Sequence, residues 1–224
     1  MIKIAPEGRP FILGAAAATV AVFVTLKNWI TAIPFAITLF MFYFFRDPER
    51  VTPTDDGAVI SPADGKILLV LEVKEEEFLK KDVRKISIFM SPLNVHVNRA
   101  PYDGEVVSVK HTPGSFKKAF LDEASHKNDN IAMVMKTKKG DILLRQVAGS
   151  IARRAVCRVR PGDTLKQGQR YGIIKFSSRM DIYLPLSAKV IVKQGDMVIS
   201  GVTVIARWDY SDAVEAALTA AETA

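Results

Sequence analysis

Cysteine is nearly missing: Cys157 stands alone in 224 residues. No internal disulfide framework can form, which fits a reducing compartment and makes the cytoplasmic side the default. Histidine is almost as scarce, with His96, His111 and His126 the only three. No two of them have metal-ligand spacing, and the three or four ligands of a zinc site cannot be assembled, so no metal is expected. No serine sits in a Gly-x-Ser-x-Gly elbow. The formal net charge of +7 and sequence pI near 9.5 are compatible with nucleic acid, with anionic lipid or with no specific partner. However, no aromatic-basic alternation or reading helix is visible, so nucleic acid is not expected.

Charge is also absent from two N-terminal stretches. None falls between Phe11 and Leu26, and after Lys27 and Asn28 none falls between Trp29 and Phe45. Each run is shorter than the ~20 residues that cross a bilayer comfortably. A hairpin of two short spanning helices, one span plus an interfacial segment, and a cleaved signal peptide all fit. Cleavage would leave a second apolar run exposed, which weighs against the signal peptide. Lys3 and Arg9 precede the first run and Arg46 and Arg50 follow the second, which puts both ends and the basic body on the cytoplasmic side of the cell membrane. We therefore expect a membrane anchor over residues 1–50 and a separate domain over 51–224.

What is abundant beyond the anchor is β pattern. "GKILLVLEV", "KISIFM", "EVVSV", "IAMVM", "DILLRQVA", "YGIIKF", "AKVIV" and "VTVIA" are short Ile- and Val-rich runs separated by turn residues. "KFSSRMDIYLP", Lys175 to Pro185, continues the series as one half-buried strand with two serines inside it. Helix is expected only near Phe78 in "EEEFLKKDV" and in the alanine-rich tail from Ser211. Two repeats sharpen the picture. "PADGKI" recurs as "PYDGEV", and "GDTLKQG" (162–168) recurs as "GDMVISG" (195–201), each a tight turn closed by a glycine before the next strand. The expected class is mainly β (α+β), a barrel-sandwich-hybrid-like domain resembling biotinyl/lipoyl modules, behind an apolar helical anchor.

Candidate chemistry is thin residue by residue. His96 sits in a strand with Val95 and Val97 pointing the other way, where a packing role is the ordinary one. Asp64 is explained by its Asp-Gly turn. Ser150 follows a glycine in "VAGSIARR". The polar stretch from Ser115 to Asn130, with Lys117, Lys118, His126 and Asn128, has the length of a binding loop or of an ordinary surface loop.

Taken together, "FFRDPER", "SPADGK", "NVHVNRAPYDGEV", "HTPGSF", "NDN", "QVAGSIARR", "GDTLKQGQRYGIIKF", "SSR" and "GDMVISGVTVIA" resemble the short form of the phosphatidylserine decarboxylase family, from about Phe44 to Ala206. The resemblance implies a proenzyme that breaks its own backbone before a serine, here Ser178. The Ser178 hydroxyl attacks the Ser177 carbonyl and turns the amide into an ester, and β-elimination then leaves dehydroalanine. Hydrolysis releases ammonia and leaves a pyruvoyl group, so the chain ends as a β chain of 1–177 and an α chain of 178–224. By the same motifs His96 is the base and Asp64 its orienting carboxylate. Ser177 departs from the family, which has glycine there.

The resemblance further implies that the covalent pyruvoyl group is the only cofactor. It would form a Schiff base with phosphatidylserine in the membrane and yield phosphatidylethanolamine and carbon dioxide. Lys117, Lys118, His126 and Asn128 are candidates to meet the head-group phosphate. An ether-linked archaetidylserine substrate and a homodimer stay open. Two readings compete with this one: a non-enzymatic membrane-fusion or adaptor protein with a lipoyl-like body, and a membrane hydrolase using Ser150.

Overall fold

The computed structural model describes residues 3–114, 128–149, 154–175 and 178–208. These form two α-helices, α1 (Arg9–Leu26) and α2 (Ala32–Phe44), and sixteen strands. The strands are β1 (Lys3–Ile4), β2 (Arg46–Asp47), β3 (Ala58–Ile60), β4 (Gly65–Glu75), β5 (Lys81–Met90), β6 (Val97–Arg99), β7 (Gly104–Thr112) and β8 (Asn130–Thr137). They continue with β9 (Gly140–Ala148), β10 (Arg154–Cys157), β11 (Thr164–Leu165), β12 (Arg170–Lys175), β13 (Ser178–Pro185), β14 (Ala188–Val190), β15 (Met197–Val198) and β16 (Val204–Trp208).

The body is mainly β, its large sheet curled into a half barrel. That sheet runs β11-β7-β8-β9-β13-β5-β4-β15, with three-stranded sheets β10-β12-β6 and β14-β16-β3 beside it. The repeats build its two halves alike. β11 joins the start of β7 through Leu165↔Gly104, and β15 joins the start of β4 through Val198↔Gly65. Gly168 and Gly201 close the two turns at φ 78° and 77°. Their amides donate to Ala100 and Ser61 carbonyls, both at 2.9 Å. A positive φ is a conformation that glycine alone adopts without a Cβ penalty, which is why the repeat ends on it. The duplication leaves β9 and β13 paired at the middle of the sheet. Between the sheets lies the main core, which includes Ile67, Ile86, Ile88, Met90, Met133, Leu144, Ile174, Met180 and Ile182.

The two charge-free runs form an antiparallel helical hairpin, with the Thr19 and Thr38 hydroxyls 3.0 Å apart across it. Lys27 caps α1 in the left-handed conformation, and Asn28 restarts the chain by accepting the Ile30 amide at 3.0 Å. Leu13, Val20, Phe23, Trp29 and Phe35 lie exposed along it. Pro6–Leu26 is long and apolar enough to cross a membrane by length and composition. At 13 residues α2 is about 20 Å long, short of a ~30 Å hydrocarbon layer. The hairpin base is fastened to the body. β1 pairs with β2, the Arg158 guanidinium grips Glu7 at 2.8 and 2.6 Å, and Ala5, Ile12, Phe44 and Phe45 pack on Val95, Val97 and Ile173.

Two expectations need correction. The segment around Phe78 is a turn between β4 and β5. The Glu75 carboxylate takes the Phe78 and Leu79 amides at 2.8 and 2.7 Å, satisfying donors that a helix would have used internally. "KFSSRMDIYLP" is not one strand either: Lys175 ends β12 in a three-stranded sheet, whereas Ser178 begins β13 in the eight-stranded one. The tail from Ser211 lies outside the described residues.

Candidate functional site

Ser178 opens β13 where the chain passes from one sheet to the other. It pairs with Met90 of β5 and Ala148 of β9, so it lies inside the sheet and is fully buried. Its parity matches Met180 and Ile182, which face the core, and its hydroxyl is 3.5 Å from the Met90 sulfur. A thioether is a weak acceptor, so this contact leaves the hydroxyl loosely committed. Two amides missed by the sequence reading share this space. Asn98 Nδ2 lies 4.0 Å from the same sulfur, and its Oδ1 accepts from Gln146 Nε2 at 2.9 Å. A Cβ at Gly172 would lie 2.8 Å from that Gln146 nitrogen, so glycine makes the room. The available signal was parity: Asn98 is two residues after His96, and Gln146 two before Ala148.

His96 immediately precedes β6 and is fully buried. Its carbonyl accepts the Ile174 amide of β12 at 3.2 Å, so the strand that leads to Ser178 is bonded to it directly. Nδ1 lies 2.9 Å from the Asn94 carbonyl. A carbonyl only accepts, so Nδ1 carries the proton and Nε2 carries the lone pair. Nε2 is buried and has no hydrogen-bond partner among the described residues. The Phe44 ring packs against the imidazole with centroids 4.2 Å apart. The loop carrying Asn94 is tied to the hairpin base, because the Leu93 carbonyl accepts from Tyr43 Oη at 3.1 Å and from Arg46 Nη2 at 2.8 Å.

Burial pushes the His96 pKa down to about 4, with the Arg46 charge adding to it and the Asn94 hydrogen bond opposing it. The unfolded chain, near 6.5, therefore binds the proton first on acidification. The contribution to stability is full above pH 6.5 and is lost as pH falls toward 4, about 3 kcal/mol in all. Denaturant titrations between pH 7 and 4 should show that loss, and His96→Phe should flatten it.

Asp64 is nearly buried, and its carboxylate accepts the Ser200 amide at 2.8 Å and pairs with Arg50 at 3.0 Å. Asp103, at the same place in the other repeat, takes the Gln167 amide at 2.7 Å and Lys166 at 3.2 Å. Asp64 thus caps its turn as Asp103 does, and it makes no hydrogen bond to His96 among the described residues. The link between them is backbone: the Pro62 carbonyl accepts from Arg99 N at 3.0 Å, docking the Asp64 turn on the strand after His96.

Asn128 is buried, its side chain donating to the Ala148 carbonyl at 2.9 Å, on the residue that pairs with Ser178. Ser177, Ser150, Lys117, Lys118 and His126 lie outside the described residues. His111 is half-exposed and lies 2.9 Å from Asp129. Among the described residues no group of three or more His, Cys, Asp and Glu is placed to hold a metal ion.

A family model described as phosphatidylserine decarboxylase matches residues 37–206. The chain is 44% identical over 200 residues to the phosphatidylserine decarboxylase proenzyme of Syntrophus aciditrophicus, covering 88% of this chain and 94% of that one. It is 46% identical over 207 residues to the proenzyme of Nitrosomonas europaea, covering 92% and 95%. Against the proenzyme of Geobacter metallireducens it is 45% identical over 209 residues, covering 90% and 95%.

Proposed function

The chain belongs to the phosphatidylserine decarboxylase family, and from that membership we propose that it is a proenzyme that cuts itself before Ser178 and then decarboxylates phosphatidylserine to phosphatidylethanolamine. The observation that carries this reading is the buried Ser178 hydroxyl at the start of β13, with the preceding strand β12 bonded to the backbone of a buried imidazole whose Nε2 lone pair has no partner among the described residues.

His96, neutral at physiological pH because it is buried, takes the proton of the attacking hydroxyl. The Asn94 carbonyl fixes the tautomer that leaves Nε2 free for this. Asp64 acts through the Pro62 turn that backs the histidine strand. Position 178 suits a pyruvoyl group, being buried at the start of a central strand, lined by Met90 and Ala148 and closed to bulk water. A pyruvoyl group held there would supply an electrophilic carbonyl for an amine and an electron sink for decarboxylation. His96 would return a proton to the substrate carbon.

The hairpin, residues 1–50 in outline, would enter the membrane from the cytoplasmic side and leave on the same side, since α2 is short and both ends return to the body. The site would then sit at the head-group layer, His96 resting on the hairpin base through Phe44.

Intact-mass analysis tests the reading. The purified protein should appear as two chains broken before residue 178, the smaller one lacking an amine, and should release labelled carbon dioxide from serine-labelled lipid. One whole chain that still releases the gas would overturn it. On the same measurement, Asp64→Ala should arrive uncut. Asp103→Ala, which loses the equivalent turn cap, should be cut and only about 1 kcal/mol less stable.

A further inference from the structure

Outside the catalytic pocket, two cations face each other with no ion pair to either among the described residues. Arg154 of β10 and Lys175 of β12 are directly opposite in the antiparallel register, so their side chains leave the same face of the sheet. Like charges in that position repel across a Cβ separation of about 5 Å, and a sheet normally avoids them. Arg154 is exposed and has no hydrogen bond or ion pair among the described residues. Lys175 is half-buried, and its ammonium lies 5.1 Å from the centre of the Phe11 ring. The acid nearest in influence, Glu7, is held on both oxygens by Arg158.

The location gives the pair a meaning. Val156 and Ile173, next along these strands on the same face, pack against the hairpin base, and Phe11 belongs to the first turn of α1. The cations therefore sit where the apolar hairpin leaves the body. Lys175 also precedes Ser178 by three residues, a reach of at most about 10 Å. Resting on the decarboxylase reading above, we propose that Arg154 and Lys175 form the subsite that receives the phosphodiester of the substrate head group, so that its amine arrives at position 178.

Of the head group's two anions, the phosphate is the one that fits. A carboxylate clamped by two cations would be stabilised in the ground state and would leave as carbon dioxide more slowly. A phosphodiester keeps its charge throughout the reaction and offers two oxygens to an arginine fork.

The test uses a short-chain phosphatidylserine below its micelle threshold, so that no lipid surface contributes. In Arg154→Gln/Lys175→Gln the KM should rise about tenfold or more, with kcat changed far less, and Arg154→Lys should recover most of the loss. Glycerophosphate should inhibit the unaltered enzyme competitively and the double variant more weakly. Complete cleavage on a denaturing gel reports that the variants are folded. Should the double variant arrive uncut, Arg154→Gln at the exposed position carries the same comparison. An unchanged KM overturns the proposal, as does a loss confined to anionic vesicles, which would make the pair a general surface contact. Slow cleavage with unchanged KM also overturns it, since the cations would then hold the carboxylate released at 177. If the unaltered protein itself is whole or releases no gas, the decarboxylase reading is what fails.

Discussion

Ser178→Ala should yield a single uncut chain of about 24.7 kDa that releases no carbon dioxide from phosphatidylserine, while Ser150→Ala should be cut at the ordinary rate. The size of the effect follows from the chemistry: alanine has neither the oxygen that attacks the preceding carbonyl nor the atoms from which a ketone can be made. The loss should not be one of folding. The contact removed is a 3.5 Å hydroxyl-to-thioether approach, worth well under about 1 kcal/mol, and the β carbon that packs beside Met90 and Ala148 is kept. Urea midpoints of uncut Ser178→Ala and of an uncut Asp64→Ala would bracket this, the first near that of freshly made proenzyme. A cut Ser178→Ala chain would remove the proposed nucleophile, and an uncut Ser150→Ala would return attention to the Gly-Ser pair after β9.

Local pattern carried much of the fold. Alternation located the strands, because a strand half-buried in a curled sheet must alternate, and the duplicated turns announced both ends of the large sheet, since Gly168 and Gly201 sit at a φ that other residues avoid. Non-local pairing was not legible. Nothing between Lys175 and Pro185 shows that β12 and β13 part into different sheets, because that depends on β5, β6 and β9 as partners. The turn at Phe78 was misjudged because its amides are satisfied by one upstream carboxylate, Glu75, which a helix-like run of Glu, Leu and Lys conceals. In the site, Ser178 and His96 came from the resemblance, not from their own surroundings. Phe44 on the imidazole, the Arg46 tie to Leu93 and the Asn98–Gln146 pair are contacts between segments far apart in the chain, and composition has no access to them.

The back of the same central strand should show the largest effect on stability. Arg179 and Asp181, which alternate with Ser178 and Met180, point away from the core yet are fully buried. The Asp181 carboxylate accepts from the Ser87 hydroxyl at 2.6 Å, and its Oδ1 and Oδ2 lie 2.8 and 3.0 Å from Arg179 nitrogens, with Lys85 at 3.5 Å. Burial already pushes the Lys85 ammonium below its usual range, and Asp181 is the charge that opposes the shift. Asp181→Ala therefore leaves a buried guanidinium and a partly buried ammonium facing each other, at a cost of about 3–5 kcal/mol. That is a large share of the ~5–15 kcal/mol that holds a domain together, so the melting midpoint should fall by roughly 10 °C and less of the chain should reach the cut form. Replacing the pair together, as Arg179→Met with Asp181→Leu, removes the buried guanidinium and leaves only the partly buried Lys85 ammonium without its carboxylate, so it should recover part of the midpoint. A double variant no better than Asp181→Ala would mean that the charges on this face are held for their partners rather than for each other. An Asp181→Ala protein as stable as the original would mean that water reaches them.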